Sequence, residues 1–190
     1  MSDYSRTELM VTAMARSFRD GDVVVMGAVP AIPLAASRLA KALHAPTLSY
    51  IVGGSGTVNP TPAALPSQSC DPELAGGPCT LPLPDVVLLE GRGDALDVFC
   101  AGGLQIDAHG NCNLVCVGDP ARPKLRGPGS VGLPFLLAVK RVVIYTQAHT
   151  PRTFVERVDF VSGVGDKAEL VVTPLATMDF DPESRRMRLA

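Results

Sequence analysis

An apolar strand, Thr47-Leu48-Ser49-Tyr50-Ile51-Val52, leads directly into a glycine-rich turn, Gly53-Gly54-Ser55-Gly56. Upstream lies a second apolar run, Val23-Val24-Val25-Met26, and the residues between the two runs carry a helical apolar pattern. Continuous apolar strands joined by a helix indicate a β-α-β unit, in which parallel strands are covered by helices on both faces. Ligands of such sheets bind beyond the carboxyl ends of the strands, so we expect the turn to lie at a binding site.

Further helices and strands extend this pattern in both directions. Thr7 is predicted to cap an N-terminal helix, and the second helix is predicted to begin with Pro33 and to place Leu34, Leu39, Ala42 and Leu43 on one face. Downstream, the pattern predicts a short helix at 86–93 and strands at 96–101 and 142–146. We therefore expect a single α/β domain over residues 1–190.

Residues 59–85 interrupt the pattern with seven prolines, at positions 60, 62, 66, 72, 78, 82 and 84. Proline removes a backbone donor and restricts its predecessor, so the segment is predicted to be an insertion loop without regular secondary structure. A loop of this length is a lid, an arm that contacts a partner, or a disordered insertion. It contains Cys70 and Cys79, which could be bridged, although free thiols are the expectation in a reducing compartment.

Composition narrows the class of protein. The chain has 190 residues, 17 Lys and Arg against 19 Asp and Glu, and a net charge of -2, which argues against a nucleic acid partner. No apolar run approaches the roughly 20 residues that span a bilayer, and the N-terminus lacks a signal-peptide layout, so we expect a cytoplasmic protein. The five cysteines include no C-x-x-C pair, which disfavours a zinc site.

Three ordered motifs carry a resemblance to a known family: Gly103–Asn113 (GLQIDAHGNCN), Arg126–Gly132 (RGPGSVG) and Phe154–Gly165 (FVERVDFVSGVG). Together they resemble the β subunit of the class I coenzyme A transferases, in the branch of glutaconate CoA-transferase. The resemblance implies an open, mainly parallel sheet flanked by helices, of the CoA-transferase type. It also implies an acyl-CoA substrate, no permanently bound cofactor other than the coenzyme A of that substrate, and a CoA-transferase-like α subunit as partner in a heteromer such as α2β2.

In this family a β-subunit glutamate attacks the thioester and then carries coenzyme A, because its anhydride and its thioester are both reactive enough to exchange. The resemblance places this glutamate on Gly54, or on Gly53 if the turn is shifted by one residue. Neither has a side chain, so the nucleophile is predicted to be absent. The nearest acids in the sequence are Asp71, Glu73 and Glu90, and Glu90 is interpreted as a helix-surface residue.

The candidate site therefore rests on the turn and on one other loop. Gly53, Gly54, Ser55 and Gly56 are predicted to bind substrate through space and backbone donors. Ser55 is either a nucleophile or a brace of the turn. The resemblance makes Gly129, Ser130, Val131 and Gly132 an oxyanion loop, although a β-branched Val131 resists positive φ.

His149 follows a predicted strand and is the histidine to test first, although surface exposure explains it equally well. By contrast, the polar turn at Gln105, Asp107, Gly110, Asn111 and Asn113 is predicted to be structural.

Three functions remain open from the sequence. The leading one is a β subunit redirected to decarboxylation, hydrolysis or C–C cleavage of an acyl-CoA, as the resemblance implies for branches without the glutamate. The second is a true CoA-transferase that uses another carboxylate. The third is a non-catalytic subunit that binds acyl-CoA or stabilises its α subunit.

Overall fold

The computed structural model describes residues 3–190, and this part of the chain divides into two compact units. The first unit comprises the described residues up to Cys100 together with Ala138–Lys140, and the second comprises Ala101–Leu137 and Arg141–Ala190. That residues 1–190 form a single domain stays a prediction.

The described part of the first unit contains three α-helices, α1 (Arg6–Ser17), α2 (Ala31–Leu43) and α3 (Leu83–Gly91). Ser5 rather than Thr7 caps α1, because its hydroxyl accepts from the Glu8 amide while the Glu8 carboxylate accepts from the Ser5 amide. Helix α2 begins two residues before Pro33 and ends at Leu43, whose side chain is 72% exposed, so its predicted apolar face was wrong at that end. In the described chain, no helix has the length and apolar character that crossing a membrane requires.

The strands of the first unit are β1 (Val23–Met26), β2 (Ser49–Val52), β3 (Thr57–Val58), β4 (Cys79–Thr80) and β5 (Val98–Ala101), and they lie in the order β4-β3-β2-β1-β5. Strand β1 pairs in parallel with β2 and β5, whereas β3 and β4 are antiparallel. The predicted β-α-β unit is thus confirmed. The Gly53 amide donates to the Met26 carbonyl at 3.0 Å, which places the turn at the carboxyl ends of β1 and β2.

The proline-rich segment is more regular than its composition suggested. It contains a 3-10 helix at Pro72–Ala75 and the short strand β4, and α3 begins within it at Leu83 rather than at residue 86. Pro82 and Pro84 lie at the N-terminal end of α3, where amides have no partner within a helix and proline costs little. Cys70 and Cys79 are free thiols, so the bridge considered from the sequence is not formed.

The second unit is rich in short strands. They are β6 (Gln105–Asp107), β7 (Cys112–Asn113), β8 (Cys116–Val117), β9 (Leu125–Arg126), β10 (Arg141–Tyr145), β11 (Phe154–Val155), β12 (Ala168–Val172), β13 (Thr177–Phe180) and β14 (Met187–Leu189). The order β10-β12-β13-β14 begins with a parallel pair and continues with antiparallel pairs. Smaller sheets, β11-β6-β7 and β8-β9, carry the motif residues.

Candidate functional site

The turn after β2 is braced by its own serine. The Ser55 hydroxyl donates to the Val52 carbonyl at 3.3 Å and accepts from the Thr57 amide at 3.3 Å. The Gly56 amide also donates to the Val52 carbonyl, at 2.8 Å, and Gly56 has a φ of 67°, a conformation that glycine adopts without strain. Both hydrogen-bonding capacities of the Ser55 hydroxyl are thus used within the turn.

Two amides of the turn remain available. Within residues 3–190, the N–H groups of Gly54 and Ser55 donate to no acceptor. Consecutive unpaired amides in a tight turn form a concavity that attracts negative charge. The turn can therefore donate hydrogen bonds to a carbonyl oxygen or an oxyanion.

The space beside Gly54 is filled from the proline-rich segment. A Cβ atom built on Gly54 would overlap the Ser69 hydroxyl oxygen and would lie 3.0 Å from the Cys70 sulfur. Ser69 is buried and its amide donates to the Ala28 carbonyl at 3.0 Å, whereas Cys70 is exposed. Any side chain at position 54 must therefore displace Ser69, and the proline-rich segment forms one wall of the turn.

Glu90 lies at the other side of the turn, and the interpretation of this residue as a helix-surface residue was wrong. The residue is 7% exposed, and one carboxyl oxygen lies 3.4 Å from the position that a Gly53 Cβ would occupy. Within the described chain its carboxyl group has no hydrogen bond or ion pair, and its oxygens are not completely shielded from solvent. Burial raises the pKa of Glu90 from 4.5 to about 7.

A signal for this placement was present in the sequence. Val86 and Glu90 are four residues apart, so they share one face of α3, and Val86 is buried. Three apolar side chains of the same helix, Leu83, Val87 and Leu88, are nevertheless exposed. Helix α3 therefore buries an acid and exposes three of its apolar residues, the reverse of the usual arrangement, which is why composition misplaced Glu90.

The predicted oxyanion loop belongs to the second unit. Gly129 has a φ of 100° and Val131 a φ of 52°, so Val131 adopts the left-handed conformation that its β-branched side chain disfavours. In the described chain, the amides of Ser130, Val131 and Gly132 donate to no acceptor. Three consecutive free amides have the arrangement that an anion-binding loop requires.

His149 also belongs to the second unit and is exposed. Its Nδ1 lies 2.8 Å from the Thr173 hydroxyl, which donates its hydrogen to the Ala176 carbonyl. Nδ1 must then be the donor, so the neutral ring keeps the lone pair of Nε2. The imidazole ring packs against the Phe154 ring, with the ring centroids 4.9 Å apart.

The polar turn of the best-matched motif forms internal hydrogen bonds. The Asp107 carboxylate accepts from the amides of His109 and Asn111 and from the Asn111 side chain. A second network joins Gln105 to Asn113 and Asp159. These hydrogen bonds lie within the second unit, which agrees with a structural role for the turn.

The sequence of this chain is similar to those of coenzyme A transferases. The family model described as coenzyme A transferase matches residues 7–190. The B subunit of 3-oxoadipate CoA-transferase from Pseudomonas knackmussii is 32% identical over 166 residues, which are 87% of this chain and 63% of that protein. The B subunit of glutaconate CoA-transferase from Acidaminococcus fermentans is 29% identical over 211 residues, which cover 100% of this chain and 77% of that protein.

Solved structures of CoA-transferase-like enzymes superpose on this chain. Glutaconate CoA-transferase from Acidaminococcus fermentans superposes with a TM-score of 0.84 at 28% identity, over 99% of this chain and 79% of that one. The decarboxylase AibA/AibB gives 0.84 at 26% identity, over 98% and 77%. IpdAB of Rhodococcus jostii RHA1 gives 0.79 at 25% identity, over 99% and 77%.

The predicted fold, an α/β structure with an open, mainly parallel sheet flanked by helices, is confirmed by these superpositions. The motif resemblance and the family model agree over nearly the whole chain. The chain therefore belongs to the coenzyme A transferase family, among its class I β subunits.

Proposed function

We propose that this chain is the β subunit of a heteromeric enzyme that decarboxylates, hydrolyses or cleaves a C–C bond of an acyl-CoA thioester. The observation that carries the proposal is the environment of Gly54. Ser69 and Cys70 occupy the volume into which a side chain at this position would project. The turn itself therefore carries no carboxylate at the position where the family's glutamate would carry coenzyme A between two acids.

The turn still provides what a non-transferase reaction needs. Thioester hydrolysis and C–C cleavage both build negative charge on the carbonyl oxygen, and fixed amides stabilise that charge by a few kcal/mol each. The free amides of Gly54 and Ser55 are such donors. Coenzyme A enters as part of the substrate, and the proposal requires no permanently bound cofactor.

The names of similar proteins support a reaction other than CoA transfer. AibA/AibB is described as a decarboxylase, and the IpdB subunit of Rhodococcus jostii, 28% identical over 165 residues, as belonging to a cholesterol ring-cleaving hydrolase. The family thus contains members that are named for reactions other than CoA transfer. The acyl group of the present substrate is left open among short dicarboxylyl and ring-derived thioesters.

A true CoA-transferase is the alternative that one observation favours. Glu90 places a carboxyl group beside Gly53, within the same turn region. If Glu90 were the nucleophile, its carboxylate would attack the thioester and turnover would require an acceptor acid. The requirement for an acceptor therefore separates the two functions.

The decisive assay uses the complex with its partner and a panel of short dicarboxylyl-CoA thioesters, each with and without acetate as acceptor. We expect consumption of at least one thioester without acetate, with release of CO2, free coenzyme A or a shortened acyl-CoA detected by mass spectrometry. Turnover that occurs only with acetate, and that yields acetyl-CoA, would instead establish a transferase. Binding without any turnover would establish the third function, a non-catalytic acyl-CoA-binding subunit.

The partner is proposed to be a CoA-transferase-like α subunit, in an assembly such as α2β2. Helix α3 exposes Leu83, Val87 and Leu88 at 60%, 41% and 66%, an apolar face that association would cover. Relatives are named as the B subunits of their enzymes, which supports a two-chain enzyme. Co-expression with a CoA-transferase-like α subunit should give a stable complex. The substitution Leu88→Glu should weaken this complex.

Leu43 provides a matched control because it is an equally exposed leucine on another helix, at 72%. Leu43→Glu should leave the complex intact on size-exclusion chromatography. Equal effects of the two substitutions would remove α3 from the proposed interface.

A further inference from the structure

We infer that Glu90 is the catalytic acid–base group of the turn, which exchanges a proton with the carbon next to the thioester. This inference rests on the proposed function and names a residue for it. The carboxyl group enters from α3, and one oxygen lies 3.4 Å from the Cβ position of Gly53. A Cβ on Gly53 would also lie 3.3 Å from the Met26 carbonyl oxygen, so the missing side chain lets the carboxyl group approach the backbone of the turn directly.

The environment of Glu90 is that of a reactive group rather than of a structural one. A buried carboxyl group that serves structure is normally paired or hydrogen-bonded. Glu90 is more than nine-tenths buried, and in residues 3–190 nothing donates to it. A leucine of similar size would fill the same space without this cost, so packing gives no reason for the acid.

The titration of Glu90 suits proton transfer at neutral pH. Burial is what raises its pKa to about 7, with no charged side chain of the described chain contributing. The other titratable side chain at the turn, Cys70, faces Gly54 instead of Gly53. Near neutrality both the acid and the carboxylate are populated, which is the condition for efficient general acid–base catalysis.

The step needs no reagent other than water. When the C–C bond beside the thioester breaks, the leaving carbon departs as CO2 or, after water has added to a β-keto carbonyl, as a carboxylic acid, and the bonding electrons form the thioester enolate. The amides of Gly54 and Ser55 stabilise the enolate oxygen. The enolate then takes the proton of the Glu90 carboxyl group onto its α-carbon, and the carboxylate regains a proton from water.

Hydrogen exchange tests this role without knowledge of the natural substrate. The complex with its partner is incubated in D2O with glutaryl-CoA as the probe, and deuterium at the α-carbon is followed by mass spectrometry. In this partial reaction the Glu90 carboxylate removes the α-proton and returns a deuteron. We expect Glu90→Gln to lower the exchange rate by about 100-fold or more, and Glu90→Asp to retain part of it.

Glu73→Gln is the matched control, since Glu73 is an exposed acid of the adjoining segment. Its exchange rate should equal that of the wild type, and all variants should bind the probe with the same Kd in calorimetry. The wild-type rate should rise with pH and level off above about 7, the pKa of Glu90. This dependence should vanish in Glu90→Gln.

The outcomes distinguish a failure of the role of Glu90 from a failure of the proposed function. Wild-type complex that binds and exchanges glutaryl-CoA, with Glu90→Gln exchanging equally fast, overturns the role of Glu90 and leaves the proposed function standing. A wild-type rate without any inflection near neutral pH overturns it as well, even if the variant fails to fold. A complex that binds none of the acyl-CoA thioesters overturns the proposed function itself.

Discussion

Replacing Glu90 with glutamine should change how the stability of this protein depends on pH. In the folded protein burial holds the pKa of Glu90 at about 7, whereas the ordinary value is 4.5. The native state therefore binds more protons than the unfolded chain between these pH values. Its stability falls as pH rises through this window, because the buried carboxyl group must become charged.

The magnitude follows from the two pKa values. A pKa that moves from 4.5 to about 7 corresponds to at most about 3 kcal/mol of unfolding free energy, because solvent that reaches the carboxyl oxygens screens part of the cost. Glutamine has nearly the same shape and does not ionise. The variant should match the wild type near pH 4.5 and exceed it by up to about 3 kcal/mol above pH 8, after which the difference stays constant.

Thermal unfolding of the complex across this pH range provides the assay. For a chain of this size, about 3 kcal/mol corresponds to about 6–12 °C in Tm. The Tm difference between Glu90→Gln and wild type should grow by up to that amount from acid to mildly alkaline pH, while Glu73→Gln shows no such growth. A difference that is the same at every pH would refute the assignment of Glu90 as a buried, unpaired acid.

Three further substitutions probe the two loops. Ser55→Ala should cost about 1 kcal/mol in denaturant unfolding and little activity, because the hydroxyl only braces the turn, whereas a loss of about a hundredfold in turnover would make it the nucleophile. Gly54→Ala drives a methyl group into the Ser69 hydroxyl, so acyl-CoA turnover should fall at least about tenfold, and unchanged kinetics would remove the turn from the site. Val131→Gly relieves a strained φ of 52° and should raise the free energy of unfolding by about 1 kcal/mol. A fall would mean that the valine side chain stabilises the loop.

The sequence predicted the parts of the fold that depend on continuous apolar runs. Val23–Met26 and the run ending at Val52 indicated buried strands, and the helical pattern between them indicated that the strands are parallel. Helix ends were less predictable. Ser5 took the cap from Thr7 because Glu8 could complete a reciprocal pair, a local competition that spacing alone does not settle.

The position of the glycine-rich turn could be predicted from backbone chemistry, whereas its role in binding stays a prediction. Glycines after a parallel strand mark a binding turn, and the turn lies where this rule places it. The burial of Glu90 was missed because it depends on which residues of α3 pack inward, and three apolar residues of this helix, Leu83, Val87 and Leu88, are exposed instead. The filling of the Gly54 space by Ser69 and Cys70 depends on the path of the proline-rich segment, which no local pattern encodes.

Trapping with borohydride tests the central claim, that this chain acts on acyl-CoA without a glutamyl–CoA intermediate. The complex is incubated with the acyl-CoA that it consumes, treated with borohydride, digested and analysed by mass spectrometry. The account predicts that no glutamate of this chain carries the reduced adduct, since the trap requires an enzyme–CoA thioester. Recovery of a reduced residue at Glu90, or at any other acid of the chain, would contradict it and establish a CoA-transferase.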